Sequence, residues 1–587
     1  MELSGLKDKW TSKNINEDLL AVVMKECGLT EVQARLLQNR GIDGPESVSR
    51  YLKPSFDNLH DPFLFSEMEK AVSLINEAVR EDRLILIHGD FDADGVTGTA
   101  VLYEFLKEIG ADAHFFVPHR GKDGYGLSMR MMKRGVENGL GLVISVDCGG
   151  SDNKVVNFLA GKGVRTVITD HHMVTERVRA DAVINPKMPG ENYPFKELAG
   201  VGVAFKLVQA LAGSYGMEDS MDKYLDLVAL GTLGDYMELT GENRILVSLG
   251  LEVLVQWNRK GLDAIRSRSS LKRNDFSARQ VCFTLVPRLN SPGRIGSARD
   301  VVKLLIGEEE EKIHIRAKQI EEMNIERKYL DSSVTREACY LADIYLKREE
   351  DAHALIFSSA AWHEGVVGIG AARLSERYGM PAALIAVQED GVGKGSIRSS
   401  GGIHIRKALD ACSELLIRYG GHRDAGGFSV KEELISDFAE LFNRTIGVMS
   451  KGREEEISHA DMEISLSDFN NDLIEFIARM EPFGPGNTEP VFIVRGVEVL
   501  NDCRIVGGNH LKFSGRQDDS QPFDFIGFSL CNRWKPYDIF GRTIDILGNC
   551  RVNKYRGKES KQLRVIDIRV NDAPAGDKEG LFPGGEQ

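Results

Sequence analysis

The sequence has no apolar run that approaches the ~18 residues of a membrane span. Its opening segment, Met1 to Trp10, carries charge and no apolar core, so no secretory signal is expected. It contains no C-x-x-C pair. The eight cysteines are scattered, which predicts reduced thiols in a cytoplasmic protein and excludes disulfide staples or a zinc ribbon. It also lacks an excess of positive charge: 74 Lys+Arg stand against 88 Asp+Glu, a formal net charge of −14. Taken alone, that balance argues against a nucleic-acid partner, but a net value hides distribution. Residues 501–570 hold 13 Lys+Arg against 8 Asp+Glu, a locally basic stretch. Acids gathered around a cation also add negative charge without repelling a phosphate once the cation is bound.

What is present is a long chain of ordinary globular composition. Its 587 residues are too many for one core, so three or four domains are expected. Helix-like apolar spacing at Leu19 to Cys27 and Val32 to Leu37 predicts an N-terminal helical cap, 1–65. Residues 66–250 alternate helices with apolar strands, among them Leu84 to Ile87, Ala113 to Val117, Leu142 to Val146 and Val164 to Thr169. That alternation predicts a mostly parallel α/β sheet. Residues 251–350 form a linking region with one long charged helix, about 310–345. A second α/β domain follows at 351–455, with strands at Ala354 to Phe357 and Ala382 to Val387. After the turn-rich Pro482 to Pro490, about five short strands predict a small β-barrel of the OB type, 456–572. The Gly/Pro-rich tail, 573–587, is expected to be disordered. The fold class is therefore α/β, with a C-terminal barrel.

The strongest local signal is His88-Gly89-Asp90-Phe91-Asp92-Ala93-Asp94-Gly95, directly after an apolar strand. In extended chain, side chains at i, i+2 and i+4 share a face, so Asp90, Asp92 and Asp94 should point together. Three such charges repel unless a cation or protons neutralise them. Two more strands end alike, one in Asp147-Cys148-Gly149-Gly150 and one in Asp170-His171-His172. Ligands of open parallel sheets bind beyond the carboxyl ends of the strands. A further acid, Asp235, closes an apolar helix and could complete the set. Oxygen and imidazole donors without sulfur suit Mn²⁺ or Mg²⁺. Other readings compete. A single Asp at a strand end often serves only as a helix cap. An EF-hand loop is excluded, because its twelfth position is Val101 and a strand precedes it. Asp92-Ala93-Asp94-Gly95-Val96 also matches the first motif of haloacid-dehalogenase-type phosphatases, which leaves Asp147 and the Asp-His-His triplet without a role.

These motifs, in this order, resemble the DHH phosphoesterases, named for a triplet like Asp170-His171-His172. Further segments resemble that family's branch of single-strand-specific 5′→3′ exonucleases. They are Pro118-His119-Arg120 with Gly124-Tyr125-Gly126-Leu127, Pro287-Arg288-Leu289-Asn290 with Gly293-Arg294, Gly365 to Ile369, Gly420-Gly421-His422, and Glu481 to Asn487. The resemblance spans about 15–570. It implies that 66–250 is the DHH domain and 351–455 the DHH-associated domain. It implies two metal ions, Mn²⁺ or Mg²⁺, held by Asp92, Asp94, Asp147, His171 and Asp235, with Asp147 bridging and His88 and Asp90 as further ligands or supports. His172 would contact the scissile phosphate, with Asp147 and Asp170 also in the catalytic group. Arg120, Ser396 and Arg398 would hold a 5′-phosphate. Tyr125, Arg288, Asn290 and His422 would touch the strand, and Trp534, Lys554, Tyr555 and Arg556 would carry nucleic acid on the barrel. The implied activity is degradation of single-stranded DNA to 5′-mononucleotides in recombination and repair. A single-strand-binding protein or a helicase would be a possible partner, and the enzyme is expected to be monomeric. The alternatives are a DHH phosphoesterase for short oligonucleotides or cyclic dinucleotides, and an inactive DHH scaffold.

There are departures from that pattern. Gly234-Asp235-Tyr236-Met237-Glu238-Leu239 stands where bacterial members often have Ala-Asp-Val-Val-Pro-Leu. Ser291-Pro292 replaces a usual Ala-Ala, and Gly150 follows Asp-Cys-Gly. No proposed ligand is lost.

Overall fold

The computed structural model describes residues 10–571, except 14, 175, 274–275, 350, 451–457, 501, 519 and 556–557. Arg556 and the tail 573–587 lie outside the described residues, as do the side chains of Lys554 and Tyr555. The chain divides into two compact units, 59–454 and the pair of terminal segments, 1–58 with 455–587.

In the larger unit, five parallel strands form the first sheet. Their spatial order is Ala113–Phe116, Leu84–His88, Leu140–Val146, Arg165–Thr169, Ala182–Ile184. The strand Leu140–Val146 is nearly all buried, as expected of a strand covered by helices on both faces. The carboxyl ends at His88, Val146 and Thr169 sit side by side in register: His88 pairs with Ser145, and Val146 with Thr169. The sheet thus delivers three loops to one edge.

The expected long helix is present as Glu310–Tyr345, 36 residues. Its buried face runs Ile313, Ala317, Ile320, Asn324, Arg327, Asp331, Val334, Ala338, the three-to-four spacing of one helical stripe. Three polar residues in that stripe mark a buried polar seam. The second sheet orders Leu416–Gly421, Ala425–Lys431, Val392–Arg398, Ala382–Val387, Leu355–Ser359. Only the last pair is parallel; the remaining pairings are antiparallel.

In the smaller unit, five strands close on themselves. Phe492–Val499 pairs with Thr543–Tyr555, which pairs with Lys558–Val570, then Phe523–Gly527, then His510–Arg516, which returns to Phe492–Val499. This is the expected barrel. The helices Glu17–Cys27, Glu31–Gln38 and Pro45–Leu52, read from sequence as a separate cap, share its core. Leu36, Leu37 and Tyr51 belong to one apolar cluster with Phe476, Met480 and Phe492. The Tyr51 hydroxyl donates to Asn487 Oδ1 at 2.7 Å, and Trp10–Ser12 adds a parallel strand beside Ser458–Ala460.

Candidate active site

The acidic loop is not extended chain. The strand stops at His88, Asp92 becomes the N-cap of helix Ala93–Glu108, and its Oδ1 accepts from the N–H groups of Asp94 and Gly95. The period-two argument for Asp90, Asp92 and Asp94 is thereby corrected: a tight turn, not a strand, arranges them. Gly95 makes the turn possible, because a Cβ there would lie 2.6 Å from the Asp90 carbonyl oxygen. Asp147 adopts a left-handed backbone, φ 60°, at the end of its strand. Such strain in a non-glycine residue occurs where surrounding structure holds a functional side chain in place. Gly200 lets the neighbouring helix approach, since a Cβ there would meet Asp147 Cβ at 2.7 Å.

Among the described residues, three overlapping groups of side chains can each hold an ion: Asp90/Asp92/Asp147, Asp147/His171/His172 and Asp94/His171/Asp235. In each, the ligand atoms lie within 4.8 Å of one another. Asp147 and His171 are shared, and Asp147 Oδ1 is 3.1 Å from His171 Nε2. Asp90 Oδ1, Asp147 Oδ1 and His171 Nε2 are buried with no hydrogen-bond partner. Buried unpaired polar atoms are costly, so this donor set fits a divalent cation.

The electrostatics agree. Burial, then the neighbouring carboxylates, holds Asp94 and Asp147 well above the usual carboxylate range, and burial followed by Asp92 does so for Asp90. Asp235 is pushed up to about 7 by burial and Asp92. Burial pushes His171 down to about 3, the neutral imidazole a ligand needs. Asp94 is also anchored: its two oxygens accept from Gly200 and Val201 N–H at 2.7 Å, at the start of helix Gly200–Tyr215.

His172 is different. Burial would lower it, but the hydrogen bond and charge of Asp170, with Asp235 and Asp94, raise it to about 9. Its Nδ1 lies 2.8 Å from Asp170 Oδ1 and 3.3 Å from the Tyr125 hydroxyl. A cationic imidazole thus faces the cluster. Asp170 itself is occupied: it accepts from the N–H groups of His171, His172 and Gly150. It positions the triplet and belongs to none of the ion-holding groups among the described residues. His88 is likewise outside them. Its Nε2 accepts from Ser128 N–H at 3.1 Å, and burial lowers it to about 4, so it supports the wall of the site and is not brought to the ligand set.

A basic pocket shares this unit. Arg398 donates to Ser396 Oγ at 3.0 Å and to the Ile397 carbonyl. Gly368 leaves room beside them: a Cβ there would come within 2.9 Å of Ser396 Oγ and 3.2 Å of Arg398 Nη2. Arg120 stacks on Phe91 with its guanidinium 4.6 Å from the ring centre. Burial, then Arg120, lowers Arg398. Arg294, which the sequence reading did not single out as a site residue, belongs here. Burial, Arg120 and Arg327 push it down to about 10, and it donates to the Gly365 carbonyl at 3.2 Å. Arg294 and Arg398 are half-buried and Arg120 is exposed; guanidinium groups that repel one another favour an anion among them. The pair Gly293-Arg294 was the available signal; a Cβ at 293 would collide with the Phe91 carbonyl at 2.2 Å.

Two other expected contacts are turned to structural use. Arg288 is buried and bonds Glu321 through Nε and Nη2, clamping the long helix. Asn290 Oδ1 accepts from Ala93 N–H at 2.7 Å, capping the helix that follows the acidic loop. His422 lies at the surface, its ring held below the usual imidazole range by partial burial and then by the charge on His172. On the barrel, Trp534 is half-buried against the core, and its ring N–H is enclosed without a hydrogen-bond partner.

The match to known proteins follows this layout. The DHH family N-terminal domain matches 84–232, the DHHA1 domain 351–447, and the RecJ OB domain 460–567. A Bacillus subtilis (strain 168) relative named single-stranded-DNA-specific exonuclease RecJ is 33% identical over 571 residues, covering 96% of this chain and 71% of the relative. The chain belongs to the RecJ family. A Haemophilus influenzae RecJ is 32% identical over 558 residues, with 92% and 96% covered. The crystal structure of RecJ in complex with Mn²⁺ from Thermus thermophilus matches with a TM-score of 0.81 at 26% identity, over 96% of this chain and 80% of that one. RecJ membership sets aside the haloacid-dehalogenase reading of the acidic loop.

Proposed function

We propose that this chain is a metal-dependent exonuclease that degrades single-stranded DNA 5′→3′ to 5′-mononucleotides, acting in recombination and repair in the cytoplasm. The observation that carries the reading is the pair of shared, buried, unpartnered donors, Asp147 and His171, beside a pocket of repelling arginines. Asp92, Asp94, Asp147, His171 and Asp235 would hold two Mn²⁺ or Mg²⁺ ions, with Asp90 in support. Bound ions supply an activated water and neutralise charge on the phosphoryl oxygens.

The chain's own groups do the remainder. His172, cationic through Asp170, donates to the scissile phosphate as negative charge grows there. Tyr125 holds its ring in place. Arg120, Arg294, Ser396 and Arg398 bind the terminal 5′-phosphate through charge-assisted hydrogen bonds. That anchor registers the strand so that the bond presented for cleavage is one nucleotide in. The activity consumes single strands, so a helicase that opens duplex and a single-strand-binding protein are its natural partners, with the enzyme acting as a monomer.

The test is a single strand labelled at its 5′ end, incubated with Mn²⁺. Labelled mononucleotide should be the first product, and Arg398→Ala should raise KM for a 5′-phosphorylated strand. Release of label only after internal or 3′ degradation would refute the polarity.

A further inference from the structure

Helix Leu225–Gly234 ends in a way that singles out Tyr236. The N–H of Tyr236 donates to the Leu233 carbonyl and the N–H of Met237 to the Thr232 carbonyl, at 3.3 and 3.2 Å. These two bonds define a Schellman terminus with Asp235 as the cap and Tyr236 at the next position. That position takes a left-handed backbone, and Tyr236 has φ 58°. Glycine is the favoured residue there, because a Cβ is strained in that region. A tyrosine gives up that backbone stability and recovers little by packing, since the residue is 76% exposed.

The residue follows directly on Asp235, whose Oδ2 is 3.6 Å from His171 Nε2. Consecutive Cα atoms are ~3.8 Å apart, so the backbone of Tyr236 stands at the edge of the ion-holding cluster. A strained residue whose side chain serves no packing marks a functional position. Bases present flat π faces that stack on aromatic side chains without regard to sequence.

We propose that Tyr236 is a stacking platform for a nucleobase beside the scissile phosphate, a positioning residue that sets affinity for the 5′-terminal nucleotides. The inference rests on the exonuclease reading above. The arginine pocket fixes the terminal phosphate, and Tyr236 fixes the base plane, so the strand is held at two points around the metal groups. A sequence-tolerant face suits an enzyme that must accept every base in turn.

The experiment compares Tyr236→Gly, Tyr236→Phe and the unaltered full chain with Mn²⁺ and a 5′-phosphorylated single strand. Loss of one base stack should lower kcat/KM roughly five- to 150-fold in Tyr236→Gly, carried by KM. Tyr236→Phe should restore it. On a strand abasic at its first two nucleotides the difference between the unaltered chain and Tyr236→Gly should vanish. Tyr236→Gly should melt no lower than the unaltered chain, so misfolding cannot imitate the effect. A second readout needs no turnover: 2-aminopurine at the second nucleotide, bound in Ca²⁺, should be quenched by the unaltered chain and by Tyr236→Phe, and not by Tyr236→Gly. Equal quenching by all three, or a loss of kcat/KM equally large on the abasic strand, would overturn the proposal. Quenching without any hydrolysis by the unaltered chain would count against the exonuclease reading and leave the platform standing.

Discussion

At the scale of single residues, the two histidines of the triplet are separated by environment alone. His171 is buried among carboxylates and pushed down to about 3, while His172 keeps Asp170 and rises to about 9. Asp170→Asn removes the negative charge that holds His172 up and leaves a neutral amide oxygen as the weaker acceptor. The alkaline limb of the activity profile should therefore move to lower pH in this variant, measured as kcat against pH; an unmoved limb would show that His172 does not need its proton. Asp235 gives a second test. Its folded value of about 7 exceeds the ordinary carboxylate value, so the folded metal-free protein binds more protons than the unfolded chain. That contribution is present below about pH 4 and is lost as pH rises through about 7. In EDTA, Asp235→Asn should match the unaltered chain near pH 4 and exceed it by on the order of 1–3 kcal/mol at pH 8, read from denaturant midpoints. The identities of these residues were legible in the sequence, because strand-end acids and the triplet are local patterns. Their division of labour was not. That Asn290 caps a helix, that Arg288 clamps Glu321, and that His88 serves Ser128 are tertiary facts, set by partners far off in the chain.

At the scale of elements, apolar runs and helical spacing located six of the sheet strands and the long helix to within a residue or two, but missed Ala182–Ile184, Val392–Arg398, Leu416–Gly421 and Ala425–Lys431, which are short, polar or glycine-rich. The acidic loop was placed correctly and its geometry was not, because propensity could not show that the strand ends at His88 and a helix begins at Ala93. From its charge the long helix reads only as a connector. Instead, three of its polar residues are buried. Asp331 is 1% exposed and takes Arg373 at 2.8 Å, with Arg327 4.0 Å away. Asp331→Ala leaves Arg327 without a counter-charge. Since Arg373 is half exposed, the loss should be about 2–3 kcal/mol, below that of a fully buried pair. A shift of the urea midpoint with an unchanged slope would measure it; no shift would mean that solvent already screens this seam.

At the scale of the whole molecule, the surprise is the smaller unit. Its N-terminal helices and C-terminal barrel share one core, and Trp10 pairs with Ser458 across most of the chain length. No local pattern could reveal that, because it depends on which apolar faces meet after both are made. The larger unit holds both the ion-binding cluster and the arginine pocket, so the chemistry and the anchor for the strand's end belong to one compact body. The central claim is that this body binds two divalent ions through shared ligands. Calorimetric titration of the metal-free protein with Mn²⁺ tests it directly. The account predicts two ions per chain for the unaltered protein and loss of high-affinity binding at both sites in Asp147→Asn, since one carboxylate serves both. A single ion per chain, or two ions still bound tightly by Asp147→Asn, would contradict it.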